Sequence, residues 1–390
     1  MKILLKFLKG LVSALAVLIA GLYISGYGHI VELGIKVIEL GKTEAGLEDY
    51  LHFDVREIPK SDRPMPWAIH KNYNTVPATE VLNTIHKEQE TVAFLIIKND
   101  SIWHEQYFEG FNKSSKTNSF SMAKTIVSAS LAKAIEEGHI KSFDQKAIDF
   151  LPWLKGPFAK IMTVGNLATM SSGLEWNEDY DNLLTITPLT YITRDITRVM
   201  KTIPIVDEPG KRFVYQSGST QLLSQVLTAA TGESISELVR RYFWNPLGTH
   251  ADANWRLDSA KKGIEKSYCC FNSNARDFAR FATLFKNGGY WHGKQLINAA
   301  FVKNSITPQF ENGANYGYGW WLGTHMNKPY YSMRGHNGQY TIVFPEDDVV
   351  IVRLGHKQLP DLPGESHSAD YLGYMEEAFT MLSHETTTHP

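Results

Sequence analysis

Ser121 and Lys124, three residues apart, carry the strongest chemical signal in the chain. The stretch Ser119-Phe120-Ser121-Met122-Ala123-Lys124 runs into Thr125 to Gly138, where Ile126, Val127, Ala129, Ala134 and Ile135 suit a helix packed into an interior. Ser119 is the expected N-cap and Gly138 the expected stop. On such a helix, three residues at about 3.6 per turn leave the two side chains about 60° apart, so the amine lies over the hydroxyl one turn below. A serine in the first turn also feels the positive end of the helix dipole, which favours an alkoxide and any oxyanion formed there. Nucleophilic acyl transfer is the chemistry this pair can do. The same spacing recurs at Ser130 and Lys133 and at Ser259 and Lys262. The first lies in mid-helix, where the serine amide is already bonded, and the second precedes a Lys-rich stretch with no helix start. Spacing alone would fit an ordinary helix with a surface lysine, so the context of Ser121 sets it apart.

Two further groups have chemical potential. Glu208 to Gly218 places Tyr215 and Ser217 two apart in a loop before an expected helix, and Arg334-Gly335-His336-Asn337-Gly338-Gln339-Tyr340 opens a strand with a glycine. A hydroxyl nucleophile needs a base. Lys124 can serve if burial lowers its pKa, and Tyr215 can serve as phenolate if that ammonium lies beside it. The residues leave both open. Tyr215 also reads as a half-buried core tyrosine, Ser217 as a helix cap, and His336 as a substrate-side or structural hydrogen-bonding residue. Trp176, Tyr180 and Trp320 are candidates to line an acyl or leaving-group pocket, with core packing as the alternative.

The elements that must position these groups follow from periodicity. A helix from about Ala78 to Glu88 leads into Thr91 to Ile97 and Ile102 to Tyr107, two apolar runs across the polar turn Asn99-Asp100, which read as a hairpin. From Phe143 to about Asn272 helical segments dominate, including Ser219 to Thr231 and Ser234 to Phe243. Ala275 to Asn287 reads as a helix ended by Gly288-Gly289. Strand-like runs return at Tyr316 to Leu322, Tyr330 to Arg334, Gln339 to Phe344 and Val349 to Leu354, before a helix from about Ala369 to Leu382. The expected fold class is α/β (α+β): an antiparallel sheet built from both chain ends and flanked by helices, with a mainly helical inserted layer over about 143–272.

The N-terminus is of a different kind. Lysines at 2, 6 and 9 lead into the run Leu11 to Ile24, and counting from Leu4 about 20 residues are available, enough for one bilayer span with the lysines on the cytoplasmic side. Residues 1–28 are therefore expected to be a membrane anchor, with a cleaved signal segment as the alternative, and 29–77 a stem leading to a catalytic domain over 78–390. The anchored reading puts that domain on the periplasmic or outer side, and the cleaved reading makes it secreted. At 390 residues, 43% hydrophobic and 21% charged, the chain is globular, and a net charge of −2 gives no electrostatic case for nucleic acid. No metal-ligand motif stands out among the fourteen histidines, and no cofactor is called for. Gly41-Lys42-Thr43 lacks the glycine five positions before Gly41 that a phosphate loop needs and reads as linker. Cys269 and Cys270 are neighbours; a bridge between them closes a strained ring, so two thiols are expected.

Ser121-x-x-Lys124, then Tyr215-x-Ser217, then His336-x-Gly338 resembles the class C β-lactamase-related serine hydrolases, the penicillin-recognising family. Gly138-His139-Ile140, Met170-Ser171-Ser172-Gly173-Leu174, Asn274-Ala275-Arg276-Asp277 and Tyr316-Gly317-Tyr318-Gly319-Trp320 support the match, which covers about residues 75–385. Class C β-lactamases usually carry Tyr-x-Asn and Lys-Thr-Gly, and the departures here look more like the esterases, D-amino-acid peptidases and 6-aminohexanoate-oligomer hydrolases of the same fold. The resemblance implies a β-lactamase/transpeptidase-like fold and an acyl-enzyme on Ser121 formed from a small ester or amide. It also implies an oxyanion hole from the amides of Ser121 and Gln339, with Gly338 leaving room for substrate along a strand edge. A β-lactamase, a D-Ala-type peptidase, and a catalytically silent relative that binds an envelope polymer are the alternatives.

Overall fold

The computed structural model describes residues 2–41, 44–180, 182–310 and 315–387. Lys42 and Thr43 of the triplet read as linker lie outside the described residues. Two helices, Lys2–Ile24 (α1) and Gly28–Leu40 (α2), open the chain. Strands Val55–Ile58 (β1) and Ala68–Ile69 (β2) and helix Glu80–Glu88 (α3) precede the hairpin Thr91–Lys98 (β3) and Ser101–Tyr107 (β4). Thr117–Asn118 (β5) leads through a 3-10 turn, Phe120–Met122, into Ala123–Glu136 (α4). A run of helices follows: Val164–Ala168 (α5), Ile186–Ile192 (α6), Ile196–Met200 (α7), Ser217–Thr231 (α8) and Ile235–Val239 (α9), the last continuing as a π-helical turn to Trp244. Ala253–Arg256 (β6) and Phe271–Ser273 (β7) come next, then Ala275–Lys286 (α10), the small hairpin Tyr290–Trp291 (β8) and Lys294–Gln295 (β9), and Ala299–Ser305 (α11). Trp321–His325 (β10), Lys328–Gly335 (β11), Gln339–Phe344 (β12), Val349–Gly355 (β13) and Ala369–Thr387 (α12) complete the chain.

The main sheet has seven strands in the order β10-β11-β12-β13-β3-β4-β2. Both chain ends build it, as the hydrophobic pattern predicts; β13 pairs antiparallel with β3, Ile351 opposite Ile96. Pairing is antiparallel except at the edge, where β2 runs parallel to β4. Side chains alternate across a pleated strand, and here each face is covered by helices. Phe94 and Ile96 of β3 join Ile351, Tyr374, Met375 and Ala378 under α12. Leu95 and Ile97 join Val350, Val352, Phe278 and Phe285 on the opposite face, in the larger core that also holds Ile126, Val127 and Leu131 of α4.

Some local expectations need correction. A second sheet, in the order β1-β6-β7-β5, crosses the region read as helical. Strands of two to four residues carry too little alternation to be visible in sequence. Residues 317–320 form a turn instead of a strand, with Gly319 at φ +86° and Tyr316 bridging to Trp321. Ser119 does not cap α4: its hydroxyl donates to the Phe120 carbonyl, and the 3-10 turn intervenes. Cys269 and Cys270 form a disulfide between neighbours instead of two thiols. The ring fits because Cys270 takes a left-handed backbone, φ +67°, with its carbonyl held by the Arg256 amide and the Asn272 side chain.

Candidate active site

The nucleophile candidate sits at a forced bend. β5 ends at Asn118, whose Oδ1 accepts from the Phe120 amide at 2.9 Å, and Phe120 adopts φ +45° before the chain enters the 3-10 turn bearing Ser121. A bulky residue with positive φ is costly and persists only where its surroundings fix it. Strand β11 supplies part of that fixation. A Cβ on Gly335 would lie 2.2 Å from the Ser119 carbonyl oxygen and 3.2 Å from Phe120 Cβ, so only glycine lets the strand end against the nucleophile turn.

One helical turn on, Lys124 Nζ lies 2.8 Å from Ser121 Oγ and 2.8 Å from the Tyr268 carbonyl oxygen. The amine also lies 5.1 Å and 5.7 Å from the ring centroids of Tyr215 and Tyr268. Lys124 is 2% exposed, and burial pulls its pKa down to about 8, against the opposing charge of Glu178. Tyr215 moves the other way. Burial pushes its phenol well up, with the Glu178 charge adding to the rise, while a hydrogen bond with Ser121 and the charge of Arg334 pull it down. Of the two bases left open by the sequence, the environment therefore disfavours the phenolate and favours the neutral amine.

The two competing Ser-x-x-Lys pairs are otherwise engaged. Ser130 Oγ donates to the Ile126 carbonyl within α4, Ser259 Oγ donates to the Arg194 carbonyl, and Lys262 pairs with Asp195.

Glu178, which the sequence reading passed over, ties together three of the residues it had singled out. Its carboxylate accepts from Trp176 Nε1 at 2.6 Å, Tyr180 Oη at 2.6 Å, the Ser217 amide at 2.6 Å and Ser217 Oγ at 2.5 Å. Ser217 is the first residue of α8, so the carboxylate also meets the positive end of that helix. Trp176 packs on Gly218, where a Cβ would come within 2.5 Å of its ring. Tyr180 stacks over His336 with ring centroids 5.8 Å apart, and Phe120 meets the same imidazole edge-on at 5.6 Å. Glu178 lies in an irregular stretch with no periodicity; its only sequence signal is its place between two aromatics.

One position departs from its expected role. Trp320 is fully buried against Phe281, Phe285 and Tyr331, and its neighbour Trp321 instead faces Tyr215, at 5.1 Å, with Arg334 over its far side at 4.9 Å. Successive residues entering a strand point to opposite sides, so a shift of one exchanges core for cleft. His336-Asn337-Gly338 forms a 3-10 turn joining β11 to β12, with Gly335 paired to Gln339. Gly338 has φ +74°, and a Cβ there would lie 2.1 Å from Arg353 Nη1, so the turn packs on that guanidinium only with glycine at this position. Buried Arg353 donates to the carbonyls of Asn337 and Gly338, and the Gln339 side chain bonds the carbonyls of His336, Asn337 and Gly355, which fixes the turn. Among the described residues, no cluster of three or more His, Cys, Asp or Glu is placed to hold a metal ion.

A nucleophile turn, a buried lysine one turn on, and a tyrosine and a hairpin turn facing it reproduce the order of motifs along the chain. The family profile described as Beta-lactamase matches residues 82–371, more than half of the sequence. The chain belongs to the beta-lactamase family. Within this family, the 6-aminohexanoate-dimer hydrolase of Paenarthrobacter ureafaciens is 24% identical over 303 residues, 70% of this chain and 75% of that protein. A solved structure from Bacillus anthracis, provisionally assigned as a 6-aminohexanoate-dimer hydrolase, superposes with a TM-score of 0.74 at 21% identity, covering 88% of this chain and 95% of that one. A penicillin-binding protein from Bacillus halodurans has a TM-score of 0.60 at 19% identity, over 77% and 99% of the two chains. The hydrolase EstCE1 has a TM-score of 0.61 at 13% identity, over 77% and 96%. These structures share the beta-lactamase fold seen here.

Proposed function

We propose that the protein is a serine hydrolase that cleaves a carboxylic ester or amide through an acyl-enzyme on Ser121. The observation that carries this reading is the 2.8 Å contact between Ser121 Oγ and the amine of a buried lysine whose pKa is brought down to about 8. As free base, Lys124 takes the hydroxyl proton while Oγ bonds to the carbonyl carbon. The oxyanion forms against the amides of Ser121 and Gln339, which belong to the turn and the strand start that both pack against Gly335. Collapse breaks the bond to the leaving group: the Tyr215 phenol gives that group a proton and regains one from the neighbouring Lys124 ammonium, which returns to the free base. Water then attacks the acyl carbon by the same route in reverse, freeing Ser121.

A relative named a 6-aminohexanoate-dimer hydrolase and a fold neighbour described as a hydrolase with promiscuous acyltransferase activity support this reaction class. His336 stands where lactam hydrolases of the family place a lysine, and a histidine offers no permanent charge at neutral pH for a lactam carboxylate. Trp176, Tyr180 and Ser217, organised by Glu178, form the substrate-side wall together with Trp321, which faces Tyr215. The apolar helix α1, with lysines at 2, 6 and 9 in its first half, anchors the chain with its catalytic domain outside the cytoplasm. The discriminating experiment is a panel of p-nitrophenyl acetate, a D-amino-acid amide and a cephalosporin. The ester is expected to turn over fastest, and efficient cephalosporin hydrolysis would contradict the substrate assignment.

A further inference from the structure

Exposed large apolar side chains run along helix α1 and recur at Ile35 and Ile38 of α2 and at Leu183 and Leu184, close in sequence to Tyr180. Helix α1 has 22 residues, Ile3–Ile24, apolar enough to cross a membrane, and none of its apolar window is buried in the fold. Tyr23 and Tyr27, both exposed, mark its outer end, the level at which aromatic rings favour a bilayer interface. Helix α2 then turns one face to the domain. His29 Nε2 hydrogen-bonds the Leu183 carbonyl at 2.9 Å, and Lys36 Nζ lies 5.2 Å over the Phe53 ring. Ile38, nine residues beyond His29, lies about 180° around the helix from it and is 83% exposed. With Tyr27, Val31 and Ile35 it forms a stripe spaced by four, four and three residues, the pattern of one helical face.

The segment that α2 grips leads into the site. Leu183, bonded to His29, is three residues from Tyr180, which stacks on His336 beside the nucleophile turn. Three residues of chain reach at most about 10 Å. Leu183 and Leu184 are nevertheless exposed, Leu184 at 61%. Apolar side chains gathered beside a cleft and continuous with a membrane-length helix are surface that water does not favour.

We propose that the cleft opens onto a lipid surface. The α2 stripe and the pair Leu183 and Leu184 rest in the headgroup–acyl boundary, and the substrate is an amphiphilic ester or amide whose acyl chain enters from the bilayer. An interfacial helix with one face on protein and one in lipid is a stable arrangement, and its binding scales with the apolar area it buries. This inference rests on Ser121 being the nucleophile, and the test separates the two.

Full-length protein in liposomes of phosphatidylethanolamine and phosphatidylglycerol is assayed with water-soluble p-nitrophenyl acetate and with p-nitrophenyl laurate dissolved in the same liposomes. Leu183→Ser/Leu184→Ser and Ile35→Ser/Ile38→Ser should each keep acetate hydrolysis within about twofold while laurate hydrolysis falls by at least about tenfold. Unchanged laurate hydrolysis in both variants overturns the proposal. If a variant loses both activities, a spin label on Leu184→Cys decides the matter: greater accessibility to oxygen than to a water-soluble nickel chelate supports it, and the reverse overturns it. Acetate hydrolysis that does not depend on Ser121 would instead sink the nucleophile assignment, while leaving the spin-label result to judge the membrane contact alone.

Discussion

The amine of Lys124 lies 2.8 Å from the hydroxyl of Ser121, and its other bonded partner is a backbone carbonyl, that of Tyr268, at the same distance. With no carboxylate bonded to hold the proton, burial dominates and the pKa falls to about 8. The fraction of free amine grows as pH rises through that value. The rate of acylation, read as kcat/KM, should therefore rise between pH 7 and 9 with an inflection near about 8 and level off above it. Lys124→Ala should lower kcat by at least about 10²-fold and remove the inflection. Lys124→Arg, charged at all accessible pH, should fare no better. A flat profile would take Lys124 out of the base role.

Tyr215 is held as the neutral phenol by burial, and it is hydrogen-bonded to Ser121. As a relay it should matter without setting the pH dependence. Tyr215→Phe is expected to cost at least about 10²-fold in kcat while the inflection assigned to Lys124 stays in place. A near-normal rate in this variant would assign proton delivery to another group.

Glu178 gives a prediction with a definite sign. Its negative charge raises the Lys124 pKa, so removing it should lower that value. Glu178→Gln should shift the kcat/KM inflection to lower pH. Because the carboxylate also binds Ser217, Trp176 and Tyr180, KM should rise as their positions loosen. An inflection that moves upward, or not at all, would separate Glu178 from the lysine.

Gly335 is a steric test of how the site is assembled. With the Ser119 carbonyl 2.2 Å from an added Cβ, Gly335→Ala must push β11 away from the nucleophile turn. A backbone oxygen cannot swing aside as a flexible side chain would, so about 1–3 kcal/mol of stability should be lost in chemical denaturation. The folded fraction should also acylate more slowly. A variant with parental stability and rate would mean that the strand end and the turn are not coupled.

How much of this was legible in the sequence differs by element. Strands β3, β12 and β13 and helices α4, α10 and α12 announce themselves because each is long and buries a regular pattern of apolar residues. The two-residue β5, which delivers the chain to Ser121, has no period to detect, and the left-handed Phe120 carries no local signature. Ser121, Lys124 and Tyr215 could be named from type and order, and the structure brings them together. Their protonation states could not, because they depend on burial in the folded chain and on Glu178, brought in from an irregular loop. The candidate Trp320 is core and its neighbour Trp321 faces Tyr215, because the phase of a strand's start is not visible in a short run.

The most direct measurement is intact-protein mass spectrometry after brief exposure to a fluorophosphonate, followed by peptide mapping. The account predicts a single adduct, located on Ser121, absent in Ser121→Ala and formed more slowly in Lys124→Ala. An adduct on Ser130 or Ser259, or labelling that persists in Ser121→Ala, would contradict it.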